Sequence, residues 1–317
     1  MRQCRHASHR DGFSLIELLV VISILGILVA LTAAGIGRVR LGQQARITDQ
    51  TLTKLQKGLD LQVIAVIDEA IKESNPNLGS LIPFCDGDKD RAKALLAYAY
   101  MKREFPQTFA EARFSMPVGV GLQPHKAFNT ITSNVSGVTP AEEAAILLYI
   151  ILQEKGNRGQ VMPVDDSTNA AQSTIATAIG TFKVFKDGYG TPITFQRWMG
   201  PGNPELQNAP YINPKETLNT RTGGSVDPFD RLGKLAMLAP MIVPPQTWPK
   251  SGVVNRNAAL GILNGAAPGP AGAPTPGVNF DGLYKMPSVI SAGQDLALGT
   301  PDDVPGYRLV RFGNKGN

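Results

Sequence analysis

Residues 18–37 form an uninterrupted run of twenty residues without a charged side chain. At a helical rise of about 1.5 Å per residue the run would be about 30 Å long, which is the thickness of a bilayer's hydrocarbon core. Glu17 stands at its start and is the one charged residue between Phe13 and Gly37. The run predicts a membrane-spanning helix, and the 317-residue chain leaves room for a further domain beyond it.

Glu17 is the unusual residue in this segment. A carboxylate among apolar residues at membrane depth costs a few kcal/mol on insertion scales, so such a group usually has a compensating partner. No Lys or Arg lies between Phe13 and Gly37. The partner would be a neighbouring molecule, lipid headgroups, or a new amino terminus made by cleavage upstream. A cut after Gly12 would expose the amine of Phe13, four residues before Glu17.

The residues Gly12-Phe13-Ser14-Leu15-Ile16-Glu17 and the apolar run after them resemble the prepilin signal of type IV pilins and type II secretion pseudopilins. The resemblance implies that a prepilin peptidase cuts after Gly12 and methylates the new terminal Phe13. It also implies that Glu17 pairs with the terminal amine of an adjacent subunit. The implied partners are other pilin-like subunits and, indirectly, an inner-membrane platform protein and an assembly ATPase.

Three other interpretations of the apolar run remain. An ordinary secretory signal would be cut near Thr32-Ala33-Ala34, but Glu17 inside the apolar region argues against it. A plain membrane anchor leaves Glu17 unexplained, and a buried core helix would be shorter and less uniformly apolar. Arg residues flank the run on both sides, so its orientation follows from the resemblance alone. That orientation is a single pass of the bacterial inner membrane, with the head in the periplasm or on the extracellular side.

Three regions are predicted along the chain: a leader at residues 1–12, a long helix at residues 13–75 with residues 13–37 in the membrane, and a head at residues 77–317. After Gly37 the helix becomes amphipathic, because apolar residues recur every three or four positions. They are Leu52, Leu55, Leu59, Val63, Val66 and Ala70. The helix should stop at Ser74-Asn75-Pro76-Asn77, since the residue before a proline avoids the helical conformation.

The head is predicted to be α+β, with additional helices and a small antiparallel sheet, as in pilins. One helix should cover residues 88–101, and another should begin at Thr139-Pro140-Ala141-Glu142 with a capping box and end at Gly156. Four short segments rich in aromatic or β-branched residues predict strands: residues 181–185, 192–198, 286–291 and 307–312. Residues 261–277 are nearly all Gly, Ala and Pro, which predicts a flexible loop.

Two motifs extend the resemblance into the head. The segment Asp187-Gly188-Tyr189-Gly190-Thr191-Pro192-Ile193 is similar to a turn-and-strand motif of major pseudopilins, although Gly188 replaces the usual proline and Tyr189 the usual tryptophan. From the residues alone it predicts a tight turn.

The second motif, from Ser291 to Asp303, resembles the calcium-binding C-terminal loop of the same pseudopilins. Asp295, Asp302 and Asp303 lie within nine residues and could join backbone carbonyls as oxygen ligands; an ordinary Asp/Gly-rich turn is the alternative. Leu296 departs from the family, which usually has glycine after the first aspartate.

Composition argues against several other classes of protein. The net charge is +5, and loss of three Arg and one Asp with the leader lowers it to +3, too little to indicate a nucleic-acid partner. After cleavage His125 and Cys85 are the remaining His and Cys. Zinc clusters are thereby excluded, catalysis is not expected, and Cys85 is interpreted as a small buried residue.

The predicted function is therefore that of a structural subunit of a type II secretion pseudopilus or a pilus-like filament. One alternative is a type IV pilus subunit for adhesion or DNA uptake. Another is a membrane-tethered head that binds a ligand or catalyses a reaction and uses the leader only for export.

Overall fold

The computed structural model describes residues 15–85, 87–113, 121–131, 137–154, 172–199, 229 and 286–307. The chain divides into two compact units, Met1–Arg46 and Ile47–Asn317. The predicted α+β class is confirmed, because an apolar N-terminal helix is followed by further helices and small antiparallel sheets. The loop predicted at residues 261–277 lies outside the described residues.

The first helix, α1, covers Leu15–Ala70. Its end lies a few residues before the predicted stop at Ser74-Asn75-Pro76-Asn77, which forms turns. Asn75 secures this end, since its side-chain amide donates hydrogen bonds to the carbonyl oxygens of Glu69 and Ala70. The predicted apolar stripe is confirmed: each member is 5 % exposed or less. These residues are Leu52, Leu55, Leu59, Val63, Val66 and Ala70. The part of α1 after residue 46 therefore contributes one wall of the core of the second unit.

Within the described ranges, four further α-helices, two 3-10 turns and one π-helical turn follow. They are α2 (Leu78–Leu81), α3 (Lys89–Glu104), α4 (Phe109–Ala112) and α5 (Pro140–Tyr149). Two 3-10 turns cover Ile82–Cys85 and Lys126–Phe128, and a π-helical turn continues α5 over Ile150–Glu154.

The predicted helix starts are confirmed. Asp88 caps α3, and Thr139 and Glu142 form the capping box of α5 with Pro140 in the first turn. Gly156, the predicted end of α5, lies outside the described residues. Cys85 is fully buried, as its sequence neighbours predicted.

The described strands form two antiparallel sheets. Strands β1 (Gln172–Thr177) and β2 (Gly180–Phe185) make a hairpin. Strands β3 (Thr194–Met199), β4 (Met286–Ser291) and β5 (Val304–Pro305) make a sheet in the order β3-β4-β5.

Three of the predicted strands correspond to β2, β3 and β4, while β1 was not predicted. The prediction of a strand starting at Tyr307 is wrong, because Tyr307 follows β5 in a helical turn; residues 308–312 lie outside the described part. Its ring is 1 % exposed, and its N–H donates to the Ser288 hydroxyl instead of extending a ladder. Pro192 precedes β3 in an isolated bridge with Lys186, which suits a residue without an N–H.

Buried glutamines join α1 to the rest of its unit. The Gln56 amide donates to the Pro287 carbonyl at 3.0 Å, and its carbonyl accepts the Val289 N–H at 3.0 Å, so one side chain satisfies two backbone groups of β4. The Gln62 amide donates to the Ile151 carbonyl in the π-helical turn at 3.1 Å. Buried hydrogen bonds of this kind hold α1 against both the sheet and α5.

Candidate functional site

The apolar part of α1 has the properties of a membrane span. In the described part of the chain one helix is long and apolar enough to cross a bilayer: Leu15–Thr32 has a mean hydropathy of 2.8 and none of it is buried in the protein. Its large apolar side chains are 49–82 % exposed. Exposure of so many apolar side chains indicates that lipid or other protein covers them.

Glu17 lies in the first turn of α1, and its side chain is exposed. The N-terminal end of a helix carries partial positive charge, which favours a carboxylate there. Gly12 and Phe13, the predicted processing residues, lie outside the described residues. Ser23 and Thr32 are polar residues farther along the segment, and both hydroxyls donate to carbonyls one turn earlier. Glu17 differs from these two residues in carrying a net charge.

The predicted turn after β2 is confirmed and is built around the Asp187 carboxylate, which is 3 % exposed. One carboxylate oxygen accepts the N–H groups of Tyr189 and Thr191, each at 2.9 Å. The other accepts the Ser291 hydroxyl of β4 at 2.6 Å. The Gly188 N–H donates to the Thr48 hydroxyl of α1 at 2.9 Å, so the turn is tied to both the sheet and the helix.

The three predicted metal ligands lie in the loop between β4 and β5. Asp302 closes this loop: Oδ2 accepts the N–H groups of Gln294 and Asp295 at 2.8 and 3.0 Å, and Oδ1 accepts the Thr300 hydroxyl at 2.6 Å. Asp295 accepts the Ala297 N–H at 2.9 Å, and Asp303 accepts the Gly299 N–H at 2.7 Å. The aspartates thus satisfy donors of their own loop.

The backbone of this loop follows a glycine-like path at Leu296. Among the described non-glycine residues, Leu296 is the one with positive φ, at 62°. Resemblance predicts glycine at this position, and positive φ is the conformation for which glycine is preferred. Leu296 therefore adopts a backbone conformation in which glycine would be less strained.

The negative charges of the loop favour a bound cation, whereas the arrangement of its carboxylates does not form a metal site. Hydrogen bonds from the Thr300 hydroxyl and from backbone N–H groups lower the pKa of Asp302 to about 2. Burial, with the nearby charges of Asp302 and Asp295, raises the pKa of Asp303. Asp303 Oδ1 is buried and has no hydrogen-bond partner within the described ranges. Yet no group of three or more His, Cys, Asp or Glu side chains in those ranges is arranged to hold a metal ion. Calcium binding therefore remains a prediction.

A cleft of about 760 Å³ adjoins the loop. Its lining is largely apolar and includes Ala144 of α5, Phe195 of β3, Ile290 of β4 and Leu298, with Asp303 as a charged member. The volume falls within the usual range for small-molecule pockets. Ligand binding by the head, one of the alternatives, would be tested first at this cleft.

His125 caps the 3-10 turn Lys126–Phe128 by accepting the Ala127 N–H on Nδ1 at 3.2 Å. This local bond gives the ring a structural role in its loop. That the chain is not an enzyme stays a prediction.

The sequence did not predict a buried ionic cluster that joins α3, α4 and β3. Arg197 is 4 % exposed and donates to both Glu111 carboxylate oxygens at 3.0 Å and to the Phe105 carbonyl at 3.0 Å. Burial acts to raise the pKa of Glu111, but the charge and hydrogen bonds of Arg197 outweigh it and hold this pKa below its ordinary value. Burial lowers the pKa of Lys102, which lies 3.9 Å from Glu111. The cluster fixes the packing of three elements.

The comparison with protein families gives one match: the prokaryotic N-terminal methylation motif, at residues 7–33. No curated protein and no solved structure matches the chain. The matched residues include Gly12, Phe13 and Glu17 and most of the apolar segment. The resemblance to type IV pilin-like precursors is therefore confirmed for this N-terminal segment, and its apolar helix supports membrane anchoring.

Two glycines of the Asp loop allow a matched test of its closure by Asp302. Both Gly293 (φ 69°) and Gly299 (φ 93°) have positive φ, but a Cβ at Gly293 would clash with the backbone carbonyl of Asp302 and lie 2.6 Å from its Oδ2, whereas at Gly299 it would meet nothing within 4 Å. We expect Gly299→Ala to lower the free energy of unfolding by about 1–2 kcal/mol through backbone strain alone. Gly293→Ala should cost about 1–3 kcal/mol more, because it also displaces Asp302. Denaturant unfolding of both variants measures the difference, and equal costs would show that the loop accommodates a displaced Asp302 without loss of stability.

Proposed function

We propose that this chain is a structural subunit of a type II secretion pseudopilus or a closely similar filament. The observation that carries the proposal is the methylation motif at residues 7–33, joined to an apolar helix with a single early carboxylate. Prepilin peptidase would cut after Gly12 on the cytoplasmic face and methylate Phe13. The head would then lie in the periplasm, anchored by one pass through the inner membrane.

Assembly in this proposal depends on the charge of Glu17. A carboxylate that enters an apolar helical core without a partner costs a few kcal/mol. The methylated amine of Phe13 keeps its positive charge, so pairing with Glu17 of a neighbouring subunit removes the cost. Apolar side chains that are 49–82 % exposed in one copy would be covered by other copies. The resemblance implies that the energy for assembly would come from a separate cytoplasmic ATPase and a platform protein.

Glu17→Ala and the isosteric Glu17→Gln test this step. Both should insert into the membrane and be cleaved normally, since the apolar span is intact, but filament formation should be lost because the charge partner of the terminal amine is missing. Ser23→Ala is the matched control: it removes a polar group from the same helix without removing a charge and should assemble normally. Sheared or detergent-extracted fibres are quantified by electron microscopy and immunoblotting. Normal fibres from both Glu17 variants would contradict the proposal.

We also propose that the Asp295–Asp303 loop binds calcium. Three neighbouring carboxylates, and the unpartnered buried oxygen of Asp303 among the described residues, support a hard cation. The closed loop would have to exchange some of its own hydrogen bonds for metal ligands. Calcium would supply positive charge and stabilise the loop that borders β4 and β5.

Thermal unfolding with calcium or with a chelator tests the loop. Calcium at about 100 times its Kd should add about 2.7 kcal/mol, which raises Tm by about 5–10 °C for a head of this size. Asp303→Asn should abolish the increase, whereas Asp68→Asn on the exposed side of α1 should keep it. An unchanged Tm on calcium addition to the unsubstituted protein would refute calcium binding.

A further inference from the structure

The side of α1 that faces away from the core of its unit carries a regular stripe. Between residues 50 and 72 the exposed positions include Lys54, Lys57, Leu61, Ile64, Asp68 and Ile71. The same spacing extends back to Gln50 and Ile47, and every exposed residue from 47 to 71 belongs to it. We call these eight positions the exposed stripe. The intervals alternate strictly between three and four residues, which is the heptad spacing of a coiled-coil seam.

The apolar members of the exposed stripe are unusually open for a helix whose opposite side is fully packed. Leu61 is 69 % exposed, Ile64 54 %, Ile47 50 % and Ile71 38 %. Single exposed apolar residues need no explanation, but these four share one line of the helix with four polar residues, so the stripe offers another helix both apolar and charged positions. The polar members are Gln50, Lys54, Lys57 and Asp68. The charges of the stripe are also separated along the helix, because Lys54 and Lys57 precede Asp68. Neither Lys54 nor Asp68 has an ion pair in the part of the chain that the structure describes.

We infer that the exposed stripe is a contact between copies of this chain, which lie parallel and are displaced by two heptads. The inference rests on the proposed function, and it adds the residues and the displacement of one subunit contact. Copies related by one repeated translation along a filament keep the same direction, so their equivalent helices run parallel. Displacements by whole heptads keep equivalent seam positions opposite each other, so the possible registers can be compared directly.

Charge decides between these registers. With no displacement, Lys54, Lys57 and Asp68 would each face their own copy, which places like charges together. With one heptad, Lys54 would face Leu61 and Asp68 would face Leu61 from the other side, so no ion pair forms. With two heptads, Ile47 faces Leu61 and Lys54 faces Asp68, while Gln50 and Lys57 face Ile64 and Ile71. The two-heptad displacement is thus the whole-heptad register in which an ion pair forms.

The two-heptad register has a structural consequence. Its contact is between different parts of the two copies, and a repeated contact of this type forms an open chain of subunits instead of a closed dimer. Fourteen residues correspond to about 21 Å along a helix. Within one chain, Lys54 and Asp68 are thus too far apart to touch. If a charge reversal at one of these positions is rescued by a charge reversal at the other, the two side chains must therefore interact between copies.

A charge-exchange experiment with the full, processed chain tests this contact. Lys54→Asp and Asp68→Lys should each reduce assembly about fivefold or more, the equivalent of about 1 kcal/mol per contact. The double variant restores opposite charges at the contact and should return assembly to near the unsubstituted level. Lys72→Asp is a control, since Lys72 is outside the stripe and pairs with Glu69 at 2.8 Å; it should have little effect. Failure of the double variant to recover would overturn the register.

Cysteine cross-linking distinguishes the arrangements directly. Cys85 is fully buried and Cys4 would leave with the leader, so any cross-link would form between the introduced cysteines. In the two-heptad register, a chain carrying both Ile47→Cys and Leu61→Cys should form ladders of linked subunits, while each single variant should not. Dimers from Leu61→Cys alone would show the undisplaced register and overturn the inference. Dimers limited to co-expressed Leu61→Cys and Ile64→Cys chains would show antiparallel helices and also overturn it.

The outcomes separate this inference from the proposed function. If the unsubstituted chain assembles but neither charge exchange nor cysteine pairs affect or trap the assembly, only the inference fails. If the unsubstituted, processed chain never assembles, the proposed function fails and the inference fails with it.

Discussion

A charged carboxylate at the start of an apolar helix is the constraint from which the account of this protein follows. Glu17 lies in the first turn of α1, within a segment that has a mean hydropathy of 2.8. Local hydrogen bonds satisfy the hydroxyls of Ser23 and Thr32, but a net charge requires a counter-charge if it enters an apolar environment. Processing after Gly12 would create such a charge at Phe13. Within a filament, the amine of one subunit can then compensate the acid of the next.

The part of α1 after residue 46 has one buried side and one exposed side. One side is buried through Leu52, Leu55 and Leu59, and Gln56 adds hydrogen bonds to the backbone of β4. The turn around Asp187 is tied to the same helix through Thr48. This part of α1 is thus an integral element of its unit. The exposed stripe on the other side is what remains available for contact with further copies.

Local sequence signals predicted those parts of the structure that depend on neighbouring residues. The capping box of Thr139 and Glu142 and the Asp187 turn each involve residues a few positions apart, and the structure confirms them. The apolar stripe of α1 was equally predictable because its spacing is regular. Strand β1 was missed because Gln172–Thr177 is mostly polar and half-exposed.

Features that depend on distant residues were not predictable in this way. Arg197 and Glu111 are separated by 86 positions, and nothing local to either residue indicates that they pair in the core. An Arg directly before Trp198 in a strand was a weak signal that a buried cation needed a partner. At the Asp loop, sequence predicted the residues that lie together but not that Asp302 would already be engaged by backbone donors.

The mature amino terminus is the most direct test of the central claim, because every later step requires the amine at Phe13. The protein is purified from membranes of its expressing host, and its N-terminal peptide is analysed by mass spectrometry. We expect a chain that begins at Phe13, carries one additional methyl group on its terminal amine and has Glu17 as its fifth residue. A mature chain that begins near Gly35, or one that keeps residues 1–12, would contradict it.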